Sequence, residues 1–443
     1  MAEMHKLSFL LLALLVAQLA ITCSDATTPV RMHLTRTHSG SGLSWRETLQ
    51  RMALRSKARA AQFHSGSSAS GQVVPGQGDP NTEYRVRLAV GTPPQPVELT
   101  LDTGSDLIWT QCQLGSCPSC YDQALPYFDP SRSSTVSRLD CGSPACQDLD
   151  LSSCGTRKSQ WGNQACVYTY WYGDKSVTTG FLGADTFTFA GAAAALPGVA
   201  FGCGLFNNGL LKFNVTGTGI VGFGRGTLSL PSQLKVDNFS YCFTPETGSK
   251  PSPVLLGLPA NLYSSSARGA VQTTRLIQSP TVPTFYYLSL KGITVGSTRL
   301  AIPDSTFALT KDGTGGTIID SGTAITTLPP HVYRLLRDAF VSQVKLKAND
   351  EGLLCFEVPA RAKKLPRMPR LALHFEGATL ELPRENYMLD VDERKGHREM
   401  CIVITEGGDE MTIIGNYQQQ NMHILYDLAG NKLSFVPARC DRV

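Results

Sequence analysis

The sequence predicts an all-β protein built from two related lobes, and three observations support that fold class. Short runs of β-branched and aromatic residues alternate with turn residues from about residue 83 to the end of the 443-residue chain. The 41 glycines and 26 prolines supply those turns without reaching the level of low-complexity sequence. The string Asp-Thr-Gly-Ser at 102–105 returns as Asp-Ser-Gly-Thr at 320–323. A hydrophobic content of 42% with 17% charged residues excludes a disordered chain.

The overall charge argues against nucleic acid as a partner. The formal net charge of +4, from 40 basic and 36 acidic residues, is too weak for an electrostatic nucleic-acid binder. The eight histidines lack metal-binding spacing. The glycine-rich run at 313–316 lacks the lysine of a phosphate-binding loop and is typical of a hairpin tip. We therefore expect no nucleic-acid partner, no metal and no cofactor.

The N-terminus predicts entry into the secretory pathway. Residues 1–6 are short and basic-tipped, and residues 7–21 form a Leu- and Ala-rich run too brief to span a bilayer comfortably. We interpret residues 1–24 as a signal peptide; a signal anchor is the alternative. No later run reaches about 18 apolar residues and residues 439–443 are polar, so we expect no membrane anchor. The expected location is extracellular or vacuolar.

A basic segment at 25–78 is predicted to be a removable pro-segment. It carries seven basic residues against two acidic ones, a balance of +5, whereas the chain from residue 79 onward has a balance of −1. Its end, residues 65–78, is rich in Ser and Gly and is typical of a flexible linker. A basic disordered tail is the alternative interpretation. We expect the segment to inhibit by charge until it is cleaved between residues 65 and 80.

A helix is predicted inside the pro-segment. Residues 44–47 have the spacing of a capping box. Trp45, Leu49 and Met52 then fall on one helical face, with basic residues around it. A capped amphipathic helix favours the pro-segment over the disordered tail.

The remaining elements are predicted from short patterns. A second helix is predicted over 331–344, where apolar residues at helical spacing follow two prolines. Strands are predicted at 84–90, 97–101, 167–171, 186–189, 285–290, 317–319 and 424–426.

An internal repeat divides the region after residue 79 into two lobes. Apolar strand residues run into each Asp-containing string, and each string is followed later by two apolar residues and a glycine, at 220–222 and at 413–415. We therefore predict an N-terminal lobe over 79–255, with a cysteine-rich insertion, and a C-terminal lobe over 256–443.

The repeated strings place Asp102 and Asp320 at matching strand tips. One such string alone is also typical of an ordinary β-turn. If the two tips meet across a pseudo-twofold axis, carboxylates ~4 Å apart at an effective dielectric of ~20 repel by roughly 4 kcal/mol, or about three pKa units. The pair therefore shares one proton. Its ionised member can take a proton from water while its protonated member binds a carbonyl, which predicts peptide hydrolysis without a covalent intermediate.

The chain resembles a known family in several strings. Residues 102–109 and 320–323 resemble the two active-site motifs of pepsin-like aspartic proteases. Other stretches are similar to the nepenthesin-like plant branch: 112–166, 201–204, 222–226 and 415–422. The resemblance, from about residue 81 to 443, implies a bilobal pepsin-like fold with a cleft between the lobes. Together with the signal peptide, the pro-segment and the proton-sharing pair, it predicts a secreted aspartic endopeptidase, made as a zymogen and active on proteins and peptides at acidic pH. We expect a monomer.

The resemblance also implies roles for individual residues. Asp102 and Asp320 are the expected catalytic residues. Ser105 and Thr323 are expected to hydrogen-bond their outer oxygens, and Thr103 and Ser321 to interlock the two loops. The supporting active-site residues are Thr103, Gly104, Ser105, Ser321, Gly322 and Thr323.

A flap over the substrate is expected at 172–176, a hairpin tip containing glycine. By resemblance, Tyr172 is the flap tyrosine and its hydroxyl should reach the indole N–H of Trp109. The alternative is that Tyr172 is an ordinary exposed hairpin aromatic. Lys175 stands where the family often has glycine, which affects flap mobility or subsite charge.

The cysteines and two asparagines predict modifications of a secreted chain. Cleavage after Cys23 leaves twelve of the 13 cysteines, an even set that fits six disulfides. Resemblance pairs Cys355 with Cys401 and Cys242 with Cys440, and places the other eight within the first lobe. These eight are Cys112, Cys117, Cys120, Cys141, Cys146, Cys154, Cys166 and Cys203. Asn214 and Asn238 match the N-glycosylation pattern, and we expect Asn214 to be the better acceptor.

Three other functions compete with the protease. A catalytically weak or inactive relative could act as a secreted enzyme inhibitor or binding protein, but both aspartates are intact here. Residues 141–146 resemble a thiol-protease signature only faintly, with the wrong spacing and no spare cysteine. Cys112, Cys117 and Cys120 have spacing that could suit zinc, but lack a matched second pair and are expected in disulfides.

Overall fold

The computed structural model describes most of the chain after residue 84 and two segments before it. The described residues are 30–35, 45–62, 84–114, 119–156, 163–189, 195–209, 217–245, 251–257, 263, 267–350, 352–359, 364–393, 397–408 and 410–443. The predicted signal peptide and linker, together with Cys117 and Asn214, lie outside the described residues.

The predicted all-β, two-lobed fold is confirmed. Strands up to the end of the first lobe are β1 Val30–Thr35, β2 Arg85–Val90, β3 Gln95–Asp102, β4 Trp109–Gln111, β5 Ser137–Arg138, β6 Ser152–Cys154, β7 Cys166–Trp171, β8 Val177–Phe189, β9 Ala195–Asn208, β10 Gly219–Gly222, β11 Asn238–Cys242 and β12 Ser252–Leu256. Strands of the second lobe are β13 Gln272–Ile277, β14 Tyr287–Leu288, β15 Leu290–Val295, β16 Thr298–Arg299, β17 Thr317–Ile319, β18 Thr326–Leu328, β19 Ala348–Asp350, β20 Leu354–Val358, β21 Leu371–Phe375, β22 Ala378–Leu382, β23 Met388–Glu393, β24 His397–Ile402, β25 Ile404–Glu406, β26 Thr412–Ile414, β27 Met422–Asp427 and β28 Lys432–Pro437.

Helices are few and mostly short in the described residues. The α-helices are α1 Trp45–Gln62, α2 Pro144–Gln147, α3 Leu230–Gln233 and α4 Pro330–Gln343. Short 3-10 helices cover Pro130–Arg132, Asp304–Phe307, Arg384–Asn386, Asn416–Gln419 and Cys440–Arg442. Within this described part of the chain, no helix has the length and apolarity needed to cross a membrane.

Each lobe is organised around a parallel strand pair that contains its aspartate string. In the first lobe β3 pairs with β10, so that Asp102 lies opposite Gly222. In the second lobe β17 pairs with β26, so that Ile319 lies opposite Ile414. The two apolar-apolar-glycine strings of the repeat are therefore the strands that flank the two aspartates.

One antiparallel sheet joins the two lobes. Strand β11 of the first lobe pairs with β27 of the second, and the disulfide Cys242–Cys440 ties the same region. The order continues through β12 to β1 on one side and through β28 to β13 on the other. Strand β1, which lies within the predicted pro-segment, also pairs with β2 through Leu34 and Val86. This strand was not predicted from the sequence.

Disulfides hold the cysteine-rich insertion and both lobes. The structure contains Cys112–Cys203, Cys141–Cys154, Cys146–Cys166, Cys242–Cys440 and Cys355–Cys401. Cys120 is also disulfide-bonded. These pairs include the two that resemblance implied, and they leave Cys112 and Cys120 without the free thiolates that a zinc site would need.

The second glycosylation candidate lies in a strand. Asn238 begins β11, is half-buried, and lies opposite Asp427 of β27. Its glycosylation stays a prediction.

Candidate active site

The two aspartates meet at the centre of the molecule. Asp102 ends β3 and Asp320 directly follows β17. Both side chains are buried, with relative exposures of 1% and 0%. The two carboxyl groups lie side by side, because the guanidinium of Arg59 reaches both of them. The pairing across lobes that the repeat predicted is therefore present.

Each carboxyl group has the same two partners from its own string. Ser105 Oγ donates to Asp102 Oδ2 at 2.6 Å, and Thr323 Oγ1 donates to Asp320 Oδ2 at 2.6 Å. The backbone N–H of Gly104 donates to Asp102 Oδ1 at 3.0 Å. The N–H of Gly322 likewise donates to Asp320 Oδ1 at 2.8 Å. In both strings the hydroxyl therefore binds Oδ2 and the glycine N–H binds Oδ1, so that Ser105 and Thr323 make the bonds that the resemblance implied.

The two loops interlock through their middle residues. The backbone N–H of Thr103 donates to Ser321 Oγ at 3.0 Å, and the N–H of Ser321 donates to Thr103 Oγ1 at 2.9 Å. Ser321 Oγ also donates to the carbonyl of Leu101 at 2.9 Å. A buried ring of hydrogen bonds thus fixes the distance between the aspartates.

The glycine of each string makes room for the aspartate of the other. A Cβ on Gly104 would lie 2.8 Å from Asp320 Oδ1, and a Cβ on Gly322 would lie 2.1 Å from Asp102 Oδ1. Any side chain at these two positions would push the carboxyl groups apart. The strings therefore need glycine for close approach.

A second layer of amides supports the second aspartate. Asn416 Nδ2 donates to the carbonyl of Ser321 at 3.0 Å. Gln419 Nε2 donates to the carbonyl of Asp320 at 3.2 Å and to that of Ile414 at 2.8 Å. The string at 415–422 was part of the family resemblance, but no role was predicted for Asn416 or Gln419.

The guanidinium of Arg59 contacts both aspartates. Arg59 of α1 places Nη2 2.8 Å from Asp102 Oδ1 and Nε 3.0 Å from Asp320 Oδ2, although the Nε–H does not point at that oxygen. Arg59 Nη1 also donates to the carbonyl of Gly322 at 3.3 Å. Arg59 itself is only 7% exposed. The positive charge of the pro-segment was predicted from the sequence, but Arg59 was not identified as the residue that contacts the aspartates.

The electrostatics of these groups depend on one another. Burial raises the pKa of Asp320 to about 6, and the Asp102 charge adds to this despite the nearby Arg59. Burial also acts to raise the pKa of Asp102, but the Arg59 charge and the hydrogen bond from Ser105 outweigh it and lower that pKa. Burial opposes the charge on Arg59, yet the carboxylates of Asp102 and Asp320 raise its pKa. The two aspartates thus differ in acidity, as a proton-sharing pair requires.

Apolar packing holds α1 in place. Leu49, Met52 and Ala53 are buried in one cluster with Ile325 and Val403 of the second lobe. The predicted amphipathic face is therefore the packed face for Leu49 and Met52; the side chain of Trp45 lies outside the described residues.

Polar contacts on α1 continue this attachment. The hydroxyl of Ser56 accepts from the backbone N–H of Ile325 at 3.1 Å, and Lys57 Nζ lies 2.9 Å from Glu406 Oε1. Arg55, one turn before Arg59, places Nε 3.5 Å from Asp174 Oδ2 in the predicted flap. The helix therefore contacts the aspartate pair and the flap at once.

The predicted flap is the tip of the hairpin formed by β7 and β8. Trp171 and Val177 close the ladder, and the N–H of Tyr172 donates to the carbonyl of Ser176 at 2.8 Å. Lys175 has φ of 67°, the left-handed conformation that glycine adopts most easily. Trp109 Nε1 donates to Tyr172 Oη at 2.7 Å. Tyr172 is only 5% exposed, so it is not an ordinary exposed hairpin aromatic.

An open part of the cleft remains beside Arg59. This cavity of about 230 Å³ lies between the flap hairpin and the second lobe. Its lining includes Arg59, Ser105, Tyr172, Trp171, Val282 and Phe285. The cavity is wide enough for substrate side chains next to the aspartate pair.

Family models match both halves of the chain. Residues 84–258 match the model described as xylanase inhibitor N-terminal, and residues 285–437 match the model described as xylanase inhibitor C-terminal. A crystal structure of edgp superposes with a TM-score of 0.69 at 16% identity, covering 93% of this chain and 97% of that one. At this identity the likeness shows the fold alone.

Two plant proteinases are similar over nearly their whole length. Aspartic proteinase nepenthesin-1 from Nepenthes gracilis is 42% identical over 422 residues, which cover 93% of this chain and 91% of the relative. Aspartic proteinase nepenthesin-2 from the same plant is 40% identical, over 93% of this chain and 90% of the relative. The similarity therefore includes both lobes and the two aspartate strings.

Proposed function

The chain belongs to the nepenthesin-like plant branch of the pepsin family and is an aspartic endopeptidase, and we propose that it is made as an inactive precursor and works in acid with Asp102 and Asp320 as its catalytic pair. The ionised carboxylate takes a proton from a water held between the two aspartates. The protonated one donates a hydrogen bond to the carbonyl of the scissile peptide. The attack yields a tetrahedral intermediate that collapses without a covalent enzyme adduct.

The loop residues serve this chemistry by holding the pair still. Ser105 and Thr323 fix the outer oxygens, so that the inner oxygens face the water. Thr103 and Ser321 keep the loops in register, and Gly104 and Gly322 allow the close approach. Preorganised hydrogen bonds of this kind lower the barrier because they need no rearrangement during the reaction.

The precursor state rests on one observation, the contact of Arg59 with both aspartates. A guanidinium stays charged throughout the accessible pH range, so the cation cannot leave by losing its proton. It also occupies Asp102 Oδ1 and lies against the carboxyl group of Asp320, where water and substrate would bind. As long as α1 stays packed on the second lobe, the pair cannot work.

Acid is the expected release signal. The lowered pKa of Asp102 means that its ion pair with Arg59 stabilises the closed form above the usual value of 3.8 and is lost as the pH falls through the lowered pKa. Protonation of Asp320, whose pKa is about 6, weakens the other contact earlier. The helix then leaves the cleft and the segment before Tyr84 can be cut.

The flap closes the site during turnover. Tyr172 on the β7–β8 hairpin covers the pair, and its hydrogen bond to Trp109 fixes the ring. A closed flap excludes water and strengthens the local electrostatics. When α1 departs, the Arg55 contact with Asp174 is lost and the hairpin is free to open for substrate.

We propose a secretory setting for the protease, which its sequence and disulfides support. Protein substrates fit the named relatives, which are proteinases. The signal peptide at 1–24, the disulfides and the two N-glycosylation strings support an oxidising, secretory route to the extracellular space or a vacuole. We expect a monomer without a membrane anchor after signal removal.

Acid treatment of the purified precursor tests the proposal. The protein should cleave a peptide library only after exposure to low pH, with a cut between residues 65 and 80. A hydroxyl-bearing transition-state mimic should block cleavage, whereas a thiol reagent should not. Full activity of the uncut chain at pH 7 would contradict the precursor, and inhibition by the thiol reagent would contradict the aspartate pair.

A further inference from the structure

We propose that Asp106 is a positioning residue, whose carboxyl group joins the Asp102 loop to the turn at 222–226 and to the opposite lobe. The inference rests on the proposed function of Asp102. Asp106 directly follows the first aspartate string and is half-buried. It is not part of the catalytic pair.

The carboxyl group of Asp106 is shared between the two lobes. Its Oδ1 accepts from the backbone N–H of Gly226 at 2.8 Å, within the first lobe. Its Oδ2 accepts from Thr284 Oγ1 at 2.6 Å, within the second lobe. The backbone N–H of Arg225 donates to the carbonyl of Thr284 at 3.0 Å and runs beside this bridge. A side chain four residues from Asp102 therefore spans the cleft.

The backbone of Asp106 makes a third connection, toward the flap. Its N–H donates to Tyr170 Oη at 3.1 Å. Tyr170 lies in β7, and its ring centroid is 5.2 Å from that of Tyr172. One residue thus contacts the opposite lobe, the glycine turn and the strand that leads into the flap.

The glycines of the turn at 222–226 leave the space that Asp106 fills. A Cβ on Gly224 would lie 2.3 Å from Asp106 Oδ1, and a Cβ on Gly226 would lie 2.3 Å from Oδ2. A Cβ on Gly222 would lie 2.2 Å from the Asp106 backbone. This explains a Gly-x-Gly-x-Gly string for which the mechanism has no other use.

The turn at 222–226 also forms backbone hydrogen bonds with the loop that contains Asp102. The N–H of Phe223 donates to the carbonyl of Asp102 at 2.8 Å, and the N–H of Gly224 donates to that of Ser105 at 2.8 Å. The contact of Gly226 with Asp106 is the third attachment between this turn and residues 102–106. Loss of the carboxyl group would leave the N–H of Gly226 and the hydroxyl of Thr284 without their acceptor, and would free the loop to shift relative to Asp320.

The carboxyl group of Asp106 acts through its hydrogen bonds and not through its charge. Among the described residues no cation forms an ion pair with Asp106: the titratable groups that face it are Asp102, Asp150, Tyr170 and Tyr286. The guanidinium of Arg225 instead donates to Asn431 and lies over the ring of Tyr286. Burial raises the pKa of Asp106 against the hydrogen bonds from Thr284 and Gly226. An uncharged side chain of the same shape should therefore serve.

The test compares Asp106→Ala with Asp106→Asn in the acid-activated full chain. Asparagine keeps an acceptor for the N–H of Gly226, and its Nδ2 can donate to the hydroxyl of Thr284. We expect Asp106→Ala to lower kcat by tens-fold with KM within about threefold, and Asp106→Asn to retain activity within about threefold. Asp148 is the matched control: it is exposed and accepts from Thr227 Oγ1 at 2.8 Å. Asp148→Ala should leave kcat unchanged.

A double-mutant cycle covers the case in which Asp106→Ala fails to fold. Thr284→Val removes the hydroxyl at nearly constant volume, and should lower kcat several-fold on its own. Thr284→Val should lower kcat by about the same factor in the Asp106→Asn background as in the parent chain, because asparagine keeps the bridge that the hydroxyl completes.

Three outcomes overturn the proposal. They are an unchanged kcat in Asp106→Ala, equal losses in the Ala and Asn variants, and an unchanged kcat in Thr284→Val. Failure of the proposed function is seen separately, as absence of peptidase activity in the acid-treated parent chain.

Discussion

Arg59 Nη2 lies 2.8 Å from Asp102 Oδ1, in a contact between residues 43 positions apart that is shielded from solvent. The contact places the most buried cation of α1 on the aspartate pair rather than on the protein surface. Burying an arginine is costly unless its charge is paired, and two carboxylates provide that pairing. This contact is the one that the proposed inactive precursor requires, because it places a cation on the proposed catalytic pair.

Removing the guanidinium should release the closed state. We predict that Arg59→Ala makes the uncut precursor hydrolyse a peptide substrate at pH 5–6 at least tenfold faster than the parent precursor, because the aspartate oxygens become free. Lys57→Ala is the control. Lys57 lies on the same helix in a half-exposed ion pair with Glu406, worth at most about 1 kcal/mol. An Arg59→Ala precursor as inactive as the parent would remove Arg59 from the inhibition.

The pH of release should follow the acidity of Asp102. Since its pKa is lowered in the closed form, we expect the precursor to stay closed above about pH 4 and to open as the pH falls further. The rate of pro-segment loss, followed by mass spectrometry from pH 3 to 7, measures this. High salt should bring activation forward only slightly, because it screens the half-exposed Lys57–Glu406 pair but not the buried contact of Arg59 with Asp102. Release that is fastest at neutral pH would contradict the electrostatic account.

The flap tyrosine should contribute to turnover and not to folding. We predict that Tyr172→Ala lowers kcat/KM by tens-fold or more, or roughly 2 kcal/mol, because the open flap admits water to the pair. Tyr172→Phe keeps the ring and loses only the hydrogen bond with Trp109, so its loss should be smaller. Steady-state kinetics with thermal unfolding as control decide this. Unchanged kinetics in Tyr172→Ala would make the side chain a mere packing residue.

A buried histidine should limit stability in acid. His423 of β27 lies in the interlobe sheet, with Nε2 3.1 Å from Ser240 Oγ, and burial lowers its pKa from 6.5 to about 4. The unfolded chain then binds this proton more readily than the folded one. Stability is full above pH 6.5 and falls toward pH 4, by roughly 3 kcal/mol at about 1.4 kcal/mol per pKa unit.

Denaturant unfolding at several pH values tests the histidine. His423→Gln should flatten the loss of unfolding free energy between pH 6.5 and 4, whereas the exposed His33→Gln should not. The same slope in the parent and in His423→Gln would assign the acid sensitivity to other groups.

Local sequence patterns were enough to predict many elements of the fold. Strand 317–319 matches β17 residue for residue, and the helix predicted over 331–344 is α4, Pro330–Gln343. The repeat also identified which strands flank the aspartates, because two apolar residues and a glycine mark a buried strand end. Strand β1 was missed: its pattern is short, and its partners β12 and β2 lie far away in sequence.

The site was predictable where residues repeat and unpredictable where they do not. Asp102 and Asp320 follow from the paired strings alone. Arg59 is one of seven basic residues in its segment, and only the packing of α1 on the second lobe selects it. Asp106 resembles an ordinary turn residue until Gly226 and Thr284 arrive from distant parts of the chain.

The most direct test of the aspartate pair is the peptidase activity of Asp102→Asn and Asp320→Asn after acid treatment and removal of the pro-segment by an added protease. Asparagine keeps the size of each side chain and cannot exchange the shared proton. We predict that each variant folds with an unchanged disulfide pattern and retains less than about a thousandth of the parent kcat. Turnover near the parent rate in either variant would contradict catalysis by Asp102 and Asp320.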